Sequence, residues 1–540
     1  MNQRLNISRP LNEVPATIAQ LVFASAERFA GRTAIEENGQ CTDYAELPER
    51  VMRITRGLMA LGIQAGDRVG VWAPNSRDWI FAALGIHCAG AVLVPINTRM
   101  KGAEAADVLA RSGCRVLFIQ QRFLDVDYPA MLQPHRPSSL AHLVILDGDI
   151  PTQSSDLSLE QFLLGATTID ANDALRRALA ITADSVCDLL FTSGTTGKPK
   201  GVMSGHGQNL RAFSEYVKVI GLVPGDRYLI VNPFFHAFGY KAGWLTCLIA
   251  GATILPHAVF DVEVVFQRIA QERISVLPGA PTLYLSLLAH PRLAQTDLSS
   301  LRIAVTGSAS IPPSLIERMR NELGFSVVTT AYGLTECGGL ATICDPKDSA
   351  QVIAGTSGRP IAGTEVSIRD PNNHAQALTA GETGEICLRG FHVMHGYFQN
   401  PEATAEAIDT DGWLHTGDIG RLDEAGNLII TDRLKDMFIV GGFNCYPAEI
   451  EAALIEHPAI AQVAVIGIAD ARMGEVGCAC VVLREGEQLN ESQLIAWSRE
   501  CMANYKVPRQ VHFFAALPLN PSSKVAKNEL RAVVGKAEEA

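Results

Sequence analysis

The sequence has no CxxC pair, no Walker A spacing, no basic-then-apolar leader, no internal repeat and no low-complexity run. The missing CxxC pairs remove the spacing that signals structural zinc. The twelve cysteines are scattered, and in so long a chain an even count does not imply disulfides. Cys478 and Cys480, the nearest pair, sit in an apolar run that reads as a buried strand. A reduced, cytoplasmic setting is expected. Positive charge is also scarce: a net charge of −12 argues against non-specific nucleic-acid binding. Trp79 to Ile96 is the one long apolar stretch. Gly85, His87, Gly90 and Pro95 interrupt it, so it reads as a buried helix followed by a strand rather than a membrane span. The closing Lys-Ala-Glu-Glu-Ala is not a peroxisomal address.

What is present is apolar and α/β. At 540 residues the chain predicts two to four compact units, and 47% hydrophobic against 19% charged residues suits a sizeable core. β-rich runs at Arg68–Trp72, Arg115–Ile119, His142–Leu146, Tyr228–Val231 and Leu301–Thr306 alternate with helical patterns such as Val262–Glu272 and Pro312–Leu323. The alternation predicts largely parallel, buried strands flanked by helices. Asn372 to Gly384 is polar and reads as a connection in a more β-rich part. A boundary is expected near Asp432-Arg-Leu-Lys-Asp436, giving a large region over 1–433 and a small α+β domain over 434–540. In the small domain the expected order is strand Met437–Val440, helix Pro447–Glu456, strands Gln462–Ile468 and Gly477–Leu483, and helix Glu491–Met502.

The most informative run is Phe191-Thr192-Ser193-Gly194-Thr195-Thr196-Gly197-Lys198-Pro199-Lys200-Gly201-Val202. It puts three glycines, four hydroxyl side chains and two lysines after a strand expected over Ser185–Phe191. Glycine permits close backbone approach, while hydroxyls and exposed N–H groups donate to anionic oxygens. Hydrogen bonds to a charged partner contribute about 1.5–3 kcal/mol each, so several convergent donors could hold a polyphosphate.

Thr-Ser-Gly-Thr-Thr-Gly-x-Pro-Lys-Gly resembles the ATP-grasping loop of the superfamily of acyl- and aryl-CoA synthetases, adenylation domains and luciferases. Further stretches match that superfamily in its order. Asn232-Pro-Phe-Phe-His236-Ala-Phe-Gly-Tyr240 resembles the segment that lines the way in for the carboxylate, which implies a positioning role for His236. Thr329-Thr-Ala331-Tyr332-Gly333-Leu-Thr335-Glu336 implies Tyr332 against adenine, Thr335 near the α-phosphate and Glu336 on Mg²⁺. Thr306-Gly307-Ser308-Ala309 matches a turn flanking adenine and the acyl group. Gly412-Trp-Leu-His-Thr-Gly-Asp418 implies ribose hydroxyls on Asp418, with Arg433 reaching ribose or phosphate. Lys435 marks the hinge, and Gly441-Gly442 contacts the pantetheine arm. In Pro518-Leu-Asn-Pro-Ser-Ser523-Lys524, Lys524 holds the family's lysine position, and Ser523 stands where the family carries glycine. Gly358-Arg-Pro360, Gly384 to Gly390 and Gly396-Tyr397 to Glu402 fill the middle, so the resemblance runs from about Ser25 to Arg531.

The resemblance implies an α/β fold with a large multi-part N-terminal region and a smaller, mobile C-terminal α+β domain. It implies ATP, Mg²⁺ and coenzyme A as cofactors and co-substrates. A carboxylic acid attacks ATP to give acyl-AMP and pyrophosphate, and the CoA thiol then displaces AMP. Loading of a carrier-protein phosphopantetheine, a luciferase-like oxygenase and a non-catalytic binding protein are the alternatives; no nucleic-acid partner is expected, and a homodimer is left open. Phe235 to Gly243 looks most like the bacterial ligases for the indane-dione propanoate left from steroid rings, while medium- or long-chain fatty acids also fit. Tyr240, Lys241 and Ser308 are the polar candidates for the acyl pocket.

Overall fold

The computed structural model describes residues 14–148, 156–192, 199–307, 311–371, 373–433, 436–440, 443–470, 473–502, 504–519 and 525–538. The chain divides into two compact units. The first holds residues 1–365 and 388–414, and the second holds 366–387 and 415–540. The β-rich segment before residue 388 therefore groups with the C-terminal residues. Leu434 and Lys435, where the boundary is expected, lie outside the described residues.

In the first unit an eight-stranded sheet runs in the order Gly396–Tyr397, Lys200–Gly205, Val186–Thr192, Val92–Pro95, Arg68–Trp72, Val116–Ile119, His142–Ile145, Leu157–Ser158. From Val186–Thr192 outward the pairs are parallel, and only the Lys200–Gly205 and Gly396–Tyr397 strands turn antiparallel. Buried parallel strands need both faces covered, which explains continuous apolar runs such as Val92–Pro95, buried at all four positions. Helix Arg77–Cys88 supplies part of that cover. Ser76 caps it by accepting from the Trp79 N–H at 3.2 Å, and every residue from Trp79 to Cys88 is buried. Gly90, at φ +70, turns the chain into Val92–Pro95, so the long apolar stretch is a buried helix and strand. No helix among the described residues is long and apolar enough to cross a membrane.

Further strands, Arg227–Ile230, Thr253–Pro256, Ile303–Thr306 and Val327–Tyr332, also pair in parallel, with single-residue bridges through Val276 joining the two sets. Helix Val262–Glu272 and strand Arg68–Trp72 fall at the expected bounds, and the other expected elements shift by one to three residues at their ends.

A buried ion pair and its hydrogen bonds tie helices Tyr240–Leu245 and His206–Ile220 to strands Val186–Thr192 and Lys200–Gly205. Lys241 Nζ lies 3.3 Å from Asp188 Oδ1, and neither side chain has any exposure. Lys241 also donates to Ser204 Oγ at 3.1 Å, and Asn209 Nδ2 donates to Asp188 Oδ2 at 2.8 Å. His87 faces the lysine neutral, its pKa lowered first by burial and then by His206 and Lys241. It shares a 2.9 Å hydrogen bond with the Tyr240 hydroxyl. This corrects the reading of Tyr240 and Lys241 as pocket-lining groups: both are fully buried and engaged. Removing one member of such a pair strands a charge in the interior, at a cost of about 3–5 kcal/mol. Lys241→Met should lose that much in denaturant unfolding, and Lys241→Met/Asp188→Asn should recover part of it. Equal losses in the single and double variants would mean that the pair does not couple.

The second unit carries two sheets. One is ordered Asn373–Ala377, Thr364–Asp370, Gly384–Gly390, Leu414–Leu422, Leu428–Arg433. The segment expected to be a connection thus contains a strand, Asn373–Ala377, because it closes a hairpin on Thr364–Asp370. The other sheet is ordered Phe443–Cys445, Phe438–Val440, Gly474–Leu483, Ile460–Asp470, with Gln510–Phe513 added in parallel to Gly474–Leu483. Helices Pro447–Leu454, Glu491–Cys501 and Lys527–Glu538 complete the unit. Cys478 and Cys480 are buried in a strand, and all twelve cysteines are free thiols.

Candidate active site

The glycine-rich loop is the connection of an antiparallel hairpin. Thr192 pairs with Lys200 at its base, and the Thr192 hydroxyl reaches the Lys200 carbonyl at 3.5 Å. Ser193, Gly194, Thr195, Thr196, Gly197 and Lys198 lie outside the described residues, so the hairpin base is what the structure shows. The return begins at Lys200, because the ladder keeps pairing there.

Lys200 meets two other groups. Its ammonium stands 4.9 Å from the centre of the Tyr397 ring, and the Tyr397 hydroxyl donates to Glu336 Oε1 at 3.0 Å. Strand Gly396–Tyr397 brings this about by pairing with Val202 and Met203. Burial, then the charge and hydrogen bond of Glu336, raise the Tyr397 pKa, which keeps the phenol protonated as a donor. Glu336 is only partly buried, and its other oxygen is not held by this bond. A hard cation bridging phosphates wants one or two carboxylates and little else, so this residue fits a Mg²⁺ ligand.

The turn that carries Glu336 is tightly built. Strand Val327–Tyr332 ends in Gly333, and Thr335–Cys337 forms one 3₁₀ turn. Gly338 and Gly339 follow at φ +71 and +102, where side chains are strained. Gly339 N–H returns to the Leu334 carbonyl at 2.9 Å, and Ala341 N–H to the Tyr332 carbonyl at 2.8 Å. A Cβ on Gly339 would stand 2.9 Å from the Ala237 Cβ, so this turn packs on the segment after His236. His236 itself is exposed at the start of the short helix Ala237–Gly239. Gly307 sits beside Ala331: a Cβ there would be 3.3 Å from the Ala331 carbonyl oxygen. Tyr332 and Thr335 are half-buried. Thr192, Lys200, His236, Ala331, Tyr332, Gly333, Thr335 and Glu336 therefore belong to connected segments of the first unit. Ser308 lies outside the described residues.

In the second unit Asp418 is buried at 7% exposure and pairs in register with Arg433. Its N–H donates to Thr416 Oγ1 at 3.0 Å, and the Thr416 hydroxyl donates to the Ile386 carbonyl at 2.7 Å. Glu385 Oε1 takes the Gly417 N–H at 3.1 Å, fixing the backbone just before the aspartate. Gly441, Gly442 and Lys524 lie outside the described residues. A cavity of about 440 Å³ bounded by Arg68, Val92, Leu189 and Phe398 involves none of the expected site residues.

Tyr397 lies in the Gly396-Tyr397 match but carried no role there, and Asp188 lies in no motif. An aspartate inside the apolar run Val186-Cys-Asp-Leu-Leu-Phe191 and a lysine inside Phe238–Leu248 carry the signal for the second, since a buried charge needs a partner.

The α/β sheets and the hairpin around the glycine-rich run are those of an adenylate-forming enzyme, and the chain belongs to the AMP-binding enzyme family. That family matches residues 22–398, and the AMP-binding enzyme C-terminal domain matches residues 449–524. Over 522 residues the chain is 47% identical to the 3-[(3aS,4S,7aS)-7a-methyl-1,5-dioxo-octahydro-1H-inden-4-yl]propanoyl:CoA ligase of Mycobacterium tuberculosis, covering 96% of this chain and 99% of that one. The ligase of the same name from Rhodococcus jostii is 45% identical over 524 residues, at 96% and 99% coverage. The anthranilate CoA ligase AuaEII, solved with anthranoyl-AMP, superposes with a TM-score of 0.82 at 26% identity, covering 98% of this chain and 100% of that one. The expected fold and resemblance are borne out, as is the reaction class: the chain is a carboxylate–CoA ligase that works through an acyl-adenylate.

Proposed function

We propose that the acid is a bulky, oxygenated, ring-bearing propanoate of the kind left from steroid breakdown, activated with Mg²⁺ in the cytoplasm. The observation that carries this reading is the similarity to two indane-dione propanoate ligases along 99% of their length.

The substrate carboxylate is ionised at neutral pH, since such groups have pKa values of about 4. It attacks the α-phosphorus of ATP, forming the acyl–phosphate bond and expelling pyrophosphate, so no nucleophile–base pair is needed. Catalysis reduces to positioning and charge stabilisation. The 192–200 hairpin grips the phosphates, Tyr332 faces adenine with Ala331 and Gly333 beside it, and Asp418 and Arg433 hold the ribose. Thr335 and Lys524 face the reacting oxygens, while His236 and Ser308 position the acid. Glu336, steadied by Tyr397, would hold a divalent cation whose charge offsets that of the phosphates. In the second step the CoA thiol attacks the acyl carbon and AMP leaves. Gly441 and Gly442 admit the pantetheine arm, and the small domain exchanges the two arrangements about Lys435.

Pyrophosphate and AMP release should be measured over indane-dione propanoate, feruloyl-type aryl acids, and medium- and long-chain fatty acids, with and without CoA. The reading expects the fused-ring propanoate to lead in kcat/KM by at least tenfold, with AMP release dependent on CoA. A fatty or aryl acid in front would overturn the substrate. CoA-independent loading of a carrier protein would overturn the acceptor.

A further inference from the structure

Three metal-ligating side chains converge in the second unit, beside the segment that carries Asp418, with a fourth at their edge. His374 Nδ1 and His415 Nδ1 are 3.0 Å apart, and Glu385 Oε2 lies 2.8 Å from His415 Nδ1 and 3.3 Å from His374 Nδ1. Cys387, two residues beyond Glu385 on the same face of its strand, puts Sγ 3.5 Å from His415 Nδ1 and 4.0 Å from Glu385 Oε2. Among the described residues His374, Glu385 and His415 are the one group of three or more His, Cys, Asp or Glu side chains whose ligand atoms all lie within 4.8 Å of one another, and Cys387 borders it through His415 and Glu385.

We propose that His374, His415, Glu385 and Cys387 form a structural binding site for a divalent transition metal, zinc by preference.

Two arguments support it. Tetrahedral zinc with Zn–N bonds of about 2.0–2.1 Å and a Zn–S bond of about 2.3 Å spaces its nitrogens about 3.3 Å apart and its sulfur about 3.6 Å from each nitrogen. The His374–His415 and Cys387–His415 separations, 3.0 and 3.5 Å, fall close to those edges; the His415–Glu385 edge is shorter at 2.8 Å, the Cys387–Glu385 edge longer at 4.0 Å, and Cys387 stands on the His415–Glu385 side of the group. The second argument is proton bookkeeping. A proton on one imidazole Nδ1 satisfies its bond to Glu385 but leaves the other nitrogen's lone pair facing a carboxylate oxygen. Protons on both nitrogens point two donors at one atom across a 3.0 Å gap. A central cation satisfies every lone pair at once. Glu385 is 3% exposed and uses its other oxygen on the Gly417 N–H, which fixes its orientation as outer-shell bonds fix ligands in metal sites. The added thiolate favours zinc over the hard cations that oxygen ligands select.

The test uses the full-length protein without an affinity tag, loaded with zinc sulfate, dialysed into metal-free buffer and analysed for metal. The expected result is one zinc retained per chain, a loss of at least tenfold in affinity for His374→Ala against a chromophoric chelator, and no displacement by millimolar Mg²⁺. His374 is half-exposed, so that variant should keep its fold by circular dichroism. Cobalt in place of zinc should give a near-ultraviolet thiolate charge-transfer band that disappears in Cys387→Ser. Zinc retention no greater in the wild type than in folded His374→Ala, or a cobalt spectrum without the thiolate band, would overturn the four-ligand site.

Discussion

Gly333→Ala should reduce acyl-adenylate formation by about a hundredfold or more, the scale at which a displacement of about 1 Å is felt in a positioned site. A Cβ at residue 333 would stand 2.4 Å from the carbonyl carbon and oxygen of Gly339 and 2.5 Å from Leu340 N. These are backbone atoms, and they are not free to retreat. Gly339 is bonded back to Leu334 and packed on Ala237, and Ala341 is bonded to Tyr332. The collision can be relieved only by opening the turn that carries Thr335 and Glu336. Opening it would take Glu336 away from the Tyr397 hydroxyl and from the role at the phosphates proposed for it. Pyrophosphate release measures the loss, and Gly355→Ala, where nothing lies within 4 Å of the added atom, serves as the control. A folded Gly333→Ala protein with normal pyrophosphate release would show that this turn does not position the reaction.

That glycine also shows what could be read in the sequence. Tyr-Gly-x-Thr-Glu marked the end of a strand, because that signal is local, while the chemistry proposed for it came from the resemblance. The α/β architecture was legible for a similar reason: apolar runs of strand length alternate with helical periods. Contacts across long sequence gaps were not legible. Tyr397 reaches Glu336 only because an antiparallel strand is added to Lys200–Gly205, and Asp188 meets Lys241 only once a helix and a strand pack. The His374, Glu385, Cys387 and His415 cluster is the extreme case. Its members come from three strands, so no CxxC-like spacing could have marked it. The strand at Asn373–Ala377 was hidden too, since exposed polar residues there follow the hairpin rather than any burial pattern.

Lys524→Ala is expected to separate the two half-reactions. The transition state of adenylation gathers negative charge on the incoming carboxylate and the α-phosphate, and a lysine aimed there acts on charge that thioester formation does not develop. Losing one such preorganised donor costs about 10²–10³ in rate. Pyrophosphate release from ATP and acid should therefore fall by that factor or more, while supplied acyl-AMP is still converted to the thioester at close to the wild-type rate. The neighbouring Lys527 supplies the control. It pairs with Glu451 at 2.8 Å, and the same carboxylate oxygen accepts the Val465 N–H at 2.7 Å, so Lys527 is committed to holding its own helix against the sheet. Lys527→Ala should lower the melting temperature and leave the ratio of the two half-reactions unchanged. A bulky residue at Gly442 should give the mirror image of Lys524→Ala, with normal adenylation and blocked thioester formation, because the pantetheine arm needs the space. If Lys524→Ala slowed both half-reactions equally, a single lysine serving one step would be the wrong account, and with it the exchange of arrangements about Lys435.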